Sequence, residues 1–86
     1  MPFIYVLRSS TTGRSYTGAT TDLDARLLQH NSDLCPSTKH RGPWVRVHHE
    51  EFATLAEALH REKFLKTGKG RDELERILAS KPVQTG

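Results

Sequence analysis

The stretch Phe3–Ala19, FIYVLRSSTTGRSYTGA, decides how this chain folds. Phe3 to Leu7 is an apolar, β-prone run, Arg8-Ser9-Ser10 leads out of it, and Thr11-Thr12-Gly13 is a turn signal. Arg14 to Ala19 reads as a second strand, and a connection this short makes an antiparallel hairpin the natural pairing. Each strand carries a tyrosine, Tyr5 and Tyr16. The ordinary fate of such a residue is to bury its ring and keep its hydroxyl at the surface.

Beyond the hairpin, Thr21 is expected to cap a helix that carries Asp22 and Asp24 in its first turn, where the helix dipole favours negative charge. That helix runs to about Asn31, with Leu23 and Leu27 as its apolar stripe. Arg26 and His30, four residues apart, are neighbours on its surface. Ser32 to Pro43 is a polar, basic loop. Trp44 to Phe52 reads as a third strand, and a second helix runs from near Thr54 to about Lys66. Thr67-Gly68-Lys69-Gly70 is expected to break it, leaving a last helix over Asp72 to Ala79 before Pro82. The order is β-β-α-β-α-α. Three strands cannot cover themselves, so the expected fold is α+β: a small three-stranded antiparallel sheet flanked by helices. Residues 1–80 are expected to form one domain and 81–86 a flexible tail.

Composition excludes several classes. The chain has 86 residues, enough for one core and no second. Hydrophobic content of 35% and charged content of 27% suit a globular protein rather than a disordered one. No apolar run approaches the roughly 20 residues that span a bilayer. The start, Met1-Pro2-Phe3-Ile4-Tyr5, lacks the basic segment and apolar core of a signal peptide, so a cytoplasmic location is expected. Cys35 is the single cysteine, which rules out an internal disulfide and fits a reducing compartment. His40, His48, His49 and His60 have no zinc-ligand spacing. The formal net charge of +3 favours an acidic partner only mildly.

Glu62 stands out on the second helix. At 100° per residue it falls within a face made by Leu55, Ala58, Leu59 and Leu65. A carboxylate there is costly unless something pairs with it. A metal ion such as Mg²⁺ is one candidate, and an ion pair with Lys66, four residues later, is the plainer one. Arg26 has an equally plain reading as a solvated helix residue, although arginine matches phosphate geometry best. His30 beside it has the right reference pKa to move a proton near neutrality.

Taken together, Phe3-Ile4-Tyr5, ten residues, then Tyr16-Thr17-Gly18 resembles the paired tripeptides of the GIY-YIG nuclease superfamily. Arg26 and His30 follow at the offset of that family, and Arg61-Glu62-Lys63-Phe64-Leu65-Lys66 is similar to its metal-binding glutamate segment. The resemblance extends from Phe3 to about Leu78. It is strongest to small bacterial stand-alone members related to the nuclease domain of the excision-repair incision enzyme, including Ser37-Thr38-Lys39-His40-Arg41 with Pro43-Trp44. Phe3 and Thr17 depart from the family's glycine and isoleucine; both tyrosines are kept.

The resemblance implies a DNA endonuclease that hydrolyses phosphodiester bonds with one divalent ion, Mg²⁺ or Mn²⁺, held by Glu62. By the same resemblance it would act on DNA structures or weakly specified sequences, in repair or recombination. Tyr5, Tyr16, Arg26, His30 and Glu62 would form the catalytic set, with the general base open among Tyr5, Tyr16 and His30. Lys39, Arg41, Arg46, Lys66, Lys69 and Arg71 would contact DNA phosphates. Trp44 is expected in the core rather than against a base. The competing readings are a non-catalytic nucleic-acid-binding module on the same fold and a protein-interaction domain. Neither oligomeric state nor a protein partner is legible.

Overall fold

In the computed structural model, which describes residues 1–32 and 41–80, β1 (Phe3–Ser9) is the middle strand of a three-stranded antiparallel sheet of order β2-β1-β3. β2 (Ser15–Thr20) and β3 (Trp44–Glu51) flank it, and α1 (Leu23–Asn31), α2 (Leu55–Leu65) and α3 (Gly68–Ser80) complete the expected order. The expected tail at 81–86 lies outside the described residues. β1 takes the centre because it is apolar on both faces: Ile4, Tyr5, Val6 and Leu7 are all no more than 2% exposed. Successive strand residues point to opposite sides. Ile4 and Val6 therefore pack with Ala58, Leu65 and Leu74 of α2 and α3. Tyr5 and Leu7 pack with Trp44 and, on the α1 side, Leu23 and Leu27. The result is α1, sheet, and the α2–α3 pair as three layers. Full burial of side chains such as Ile4 and Leu7 stabilises by roughly 1.5–3 kcal/mol each.

Three local expectations differ from the structure. The cap of α1 is Asp22, not Thr21: its carboxylate accepts from the Ala25 N–H at 3.1 Å. Thr20 Oγ1 accepts from the Asp22 N–H at 3.1 Å, and this turn presents Asp22, in an extended conformation, to the first open amides. The α3 helix starts at Gly68 rather than Asp72. Thr67 Oγ1 accepts from the Gly70 N–H at 3.1 Å and so acts as a cap. Gly70 is there for packing: a Cβ on it would run into the Phe64 carbonyl and come within 2.6 Å of Leu65 Cα. The third difference concerns α2. Ala58 and Leu65 are buried, but Leu55 and Leu59 are 49% and 47% exposed. The helix is turned so that Arg61 reaches Glu50 of β3 at 2.9 Å and Glu73 of α3 at 3.1 Å. Meeting the needs of a half-buried guanidinium outweighs fuller burial of two leucines at the edge. Burial works against ionisation of Glu50, yet Arg61 and His48 hold its carboxyl below the ordinary value.

Among the described residues, no helix is long and apolar enough to cross a membrane.

Candidate active site

The hairpin register explains why the two tyrosines meet. Tyr5 pairs with Gly18 and Leu7 with Tyr16, so all four face the α1 side. Gly18 leaves space for the Tyr5 ring to lie across β2; a Cβ there would collide with Tyr5 Oη and approach Cζ to 2.6 Å. The rings of Tyr5 and Tyr16 lie 6.3 Å apart, centre to centre.

Helix α1 lays Arg26 and His30 over this pair, because residues four apart share one helix face. His30 is fully buried, its Nε2 2.9 Å from Tyr5 Oη and its ring 5.0 Å from that of Tyr16. Arg26 Nε donates to Tyr5 Oη at 3.1 Å, and its Nη1 donates to Gln29 Oε1 at 3.2 Å. Arginine can only donate, so Tyr5 accepts from Arg26 and is free to give its own hydrogen to His30 Nε2. Burial, with the Arg26 charge adding to it, pushes the His30 pKa below its ordinary 6.5. The imidazole is therefore neutral at pH 7 and can accept that hydrogen bond.

Glu62 joins the cluster through Lys66. The ammonium donates to Glu62 Oε2 at 3.1 Å and sits 5.9 Å from the centre of the Tyr16 ring. The plain reading of Glu62, an ion pair four residues along the helix, is thus present, and the same lysine lies over the Tyr16 ring. Glu62 is at the border of the buried face, its side chain 20% exposed. Tyr5 bonds both Arg26 and His30, the Tyr16 ring neighbours the rings of Tyr5 and His30, and Glu62 is connected to this group through Lys66. The hydroxyl of Tyr5 is committed on two sides. That of Tyr16 has no hydrogen-bond partner among the described residues, and Tyr16 lines a groove of about 550 Å³.

The expected DNA-contacting residues separate. Lys66 and Arg71 line that groove. Arg46 pairs with Asp24 at 3.4 Å on the α1 side. Arg41 is exposed at the start of the segment that leads into β3, where its carbonyl accepts from Ser9 and Thr11. Lys69 is exposed in the first turn of α3 and does not line the groove. Lys39 lies outside the described residues. Trp44 is 4% exposed and packed with Tyr5 and Leu7 in the core. Two residues escaped the sequence reading: Arg8 and Arg14, which bracket the hairpin turn and line the same groove as Tyr16. Their signal was present, since paired strands place the ends of a hairpin side by side. A separate depression of about 490 Å³ beside Phe52, His60 and Phe64 contains none of the five residues.

The GIY-YIG catalytic domain family matches residues 1–75. A UPF0213 protein of Staphylococcus epidermidis is 36% identical over 76 residues, which is 87% of this chain and 92% of that protein. A UPF0213 protein of Halobacterium salinarum is 39% identical over 67 residues, covering 77% of this chain and 86% of its own. The solution NMR structure of the UPF0213 protein BH0048 from Bacillus halodurans superposes with a TM-score of 0.55 at 28% identity, over 99% of this chain and 100% of that one.

Proposed function

The chain belongs to the GIY-YIG catalytic domain family, and from that membership we propose that it is a metal-dependent endonuclease hydrolysing phosphodiester bonds in DNA. The observation that supports this reading is the meeting of Tyr5, Tyr16, Arg26 and His30, drawn from β1, β2 and α1, beside a groove lined with cations. A cytoplasmic role in repair or recombination is part of the same proposal.

The donor set fits a divalent ion. No group of three or more His, Cys, Asp or Glu that could hold a metal exists among the described residues. Glu62, however, is reachable and already faces a cation, the Lys66 ammonium. Mg²⁺ and Mn²⁺ accept hard oxygen donors, and Mg²⁺ retains several waters beside one or two carboxylates and a substrate phosphate. Glu62 is the residue we assign to hold the ion. When bound, the ion would polarise the phosphoryl oxygen and stabilise the leaving 3′ oxygen.

The protein's own side chains divide the rest of the work. Arg26, held by Tyr5 at Nε and Gln29 at Nη1, is the cation we assign to meet the non-bridging oxygens as charge builds on them. Tyr16, which lines the groove, positions the attacking water. His30, neutral and hydrogen-bonded to Tyr5, is the base available at neutral pH, taking a proton through the phenol it contacts. As water oxygen bonds to phosphorus, the bond to the 3′ oxygen breaks and the water's proton moves toward this tyrosine–histidine group.

Incubating the protein with single-stranded, duplex, flap and branched DNAs, with Mg²⁺ or Mn²⁺, tests the proposal. Cleavage of at least one is expected, with loss of at least ~100-fold in Glu62→Gln and near-unchanged binding. Full activity after exhaustive chelation, or in Glu62→Gln, would refute it. The Glu62–Lys66 ion pair favours a second reading, a nucleic-acid-binding module that does not cut; that reading stands if wild type and Glu62→Gln both only bind.

A further inference from the structure

The groove beside Tyr16 runs between the β1–β2 hairpin and α3. Its basic lining is Arg8 and Arg14 from the hairpin, Lys66 from the end of α2 and Arg71 from α3, with Glu75 as the one acid. These four cations and one carboxylate leave +3. The whole chain has 13 basic and 10 acidic side chains, also +3. Among the described residues outside the groove there are seven basic and eight acidic side chains, so the basic excess of the described residues lies in this depression. Lys66 is paired with Glu62, but Arg8, Arg14 and Arg71 make no side-chain hydrogen bond or ion pair among the described residues. They differ in this from Arg26, Arg46 and Arg61, which are all engaged. Gathering unpaired guanidinium groups in one groove costs mutual repulsion, which an anion would relieve.

The floor has a different chemistry. Leu65 and Leu74 are 1% and 6% exposed and Leu78 is half-buried beside them. An apolar floor under a cationic rim suits a ligand that is flat and apolar in one part and multiply anionic in another. The volume, about 550 Å³, is that of a small-ligand site and cannot admit a duplex.

Building on the nuclease reading, we infer that this groove is a subsite for an unpaired nucleotide adjoining the scissile phosphate. Its phosphates lie on Arg8, Arg14 and Arg71, and its base lies on Leu74 and Leu78. Tyr16 and Lys66 belong both to the groove and to the surroundings of the tyrosine–histidine cluster, so a strand seated there runs up to Tyr16. The substrate must then be unpaired, or open a base pair, on one side of the cut.

The test is fluorescence anisotropy of the full chain with a labelled oligothymidylate and a blunt-ended two-strand duplex, in EDTA so that nothing is cut. Arg14→Ala/Arg71→Ala should weaken oligothymidylate binding by roughly tenfold at about 50 mM salt and flatten the log–log salt slope by about 1.4, two single-strand phosphate contacts. Duplex binding should change by less than about twofold, as it should for both probes in Arg76→Ala, which removes an exposed α3 charge outside the groove. Arg14→Lys/Arg71→Lys should recover most of the slope, because the point charges return. Wild-type affinity and slope in the double alanine variant, or an equal loss with Arg76→Ala or on the duplex, overturns the subsite. Each is a binding result. If wild type never cuts DNA but the groove variants lose binding as stated, the subsite holds and the nuclease reading falls; the reverse pattern separates them the other way.

Discussion

Replacing Gly18 by alanine tests the arrangement most directly, because two physical effects act there with opposite signs. In an ordinary strand interior, Gly→Ala should stabilise by roughly 0.5–1 kcal/mol by removing unfolded-state freedom. Here the new Cβ would collide with Tyr5 Oη and lie 2.6 Å from Cζ. That end of the ring is not a loose tip. It is fixed by Arg26 at 3.1 Å and by His30 at 2.9 Å in a fully buried setting. Moving it costs one neutral hydrogen bond, about 0.5–1.5 kcal/mol, and one to a charged group, about 1.5–3 kcal/mol. Against the strand gain, Gly18→Ala should destabilise by about 1–4 kcal/mol. Urea titration followed by the fluorescence of Trp44, the lone tryptophan and a neighbour of Tyr5 in the core, measures this. A Tyr5→Phe background removes the hydroxyl that meets the new methyl, so part of the penalty should vanish there. A single variant at least as stable as wild type would show that Tyr5 is not held as described.

Other outcomes follow from the same geometry. Lys66→Met should lower the Mg²⁺ or Mn²⁺ concentration for half-maximal cleavage by about two- to fivefold, the worth of a partly exposed ion pair that the metal no longer displaces; an unchanged metal titration would mean that Lys66 does not compete. His30 has a depressed pKa in the folded state, so the unfolded chain binds its proton first as pH falls. Stability should therefore decline from about pH 6.5 downward and level off below the folded value. Denaturation midpoints from pH 8 to 5 should show this limb in wild type and lack it in His30→Gln. Glu50 adds a second loss at lower pH, below its ordinary 4.5, as its bonds to Arg61 and His48 are protonated away.

The sequence was most readable where one residue carries one requirement. The hairpin followed from an apolar run, a turn and a second β-prone run, but the register that puts Tyr5 and Tyr16 on a common face came from the pairing of Leu7 with Tyr16. Arg26 and His30 followed from helix periodicity. What escaped depended on three-dimensional choices. Gly68 and Gly70 look like a helix break, and only the close approach of α3 to Phe64 and Leu65 shows why Gly70 lacks a side chain. Leu55 and Leu59 satisfy the helical wheel, yet the ion pairs of Arg61 decide which way α2 turns. Arg8 and Arg14 looked like ordinary flanks of a turn, because no reading along the chain brings α3 opposite them.

The middle strand has one consequence for how this protein can vary in length. Its two sides answer to different masters: Ile4 and Val6 to one set of helices, Tyr5 and Leu7 to another. Deleting a single residue ahead of Tyr5 would exchange them, sending a phenol into the aliphatic layer and an isoleucine toward Arg26. Insertions and deletions are therefore barred from the strand and fall instead at Ser10–Gly13, where the turn can lengthen without reversing either side, at the expense of the bonds from Ser10 and Thr11 to the Pro43 and Arg41 carbonyls. Size differences among descendants of such a sequence should gather at that tip.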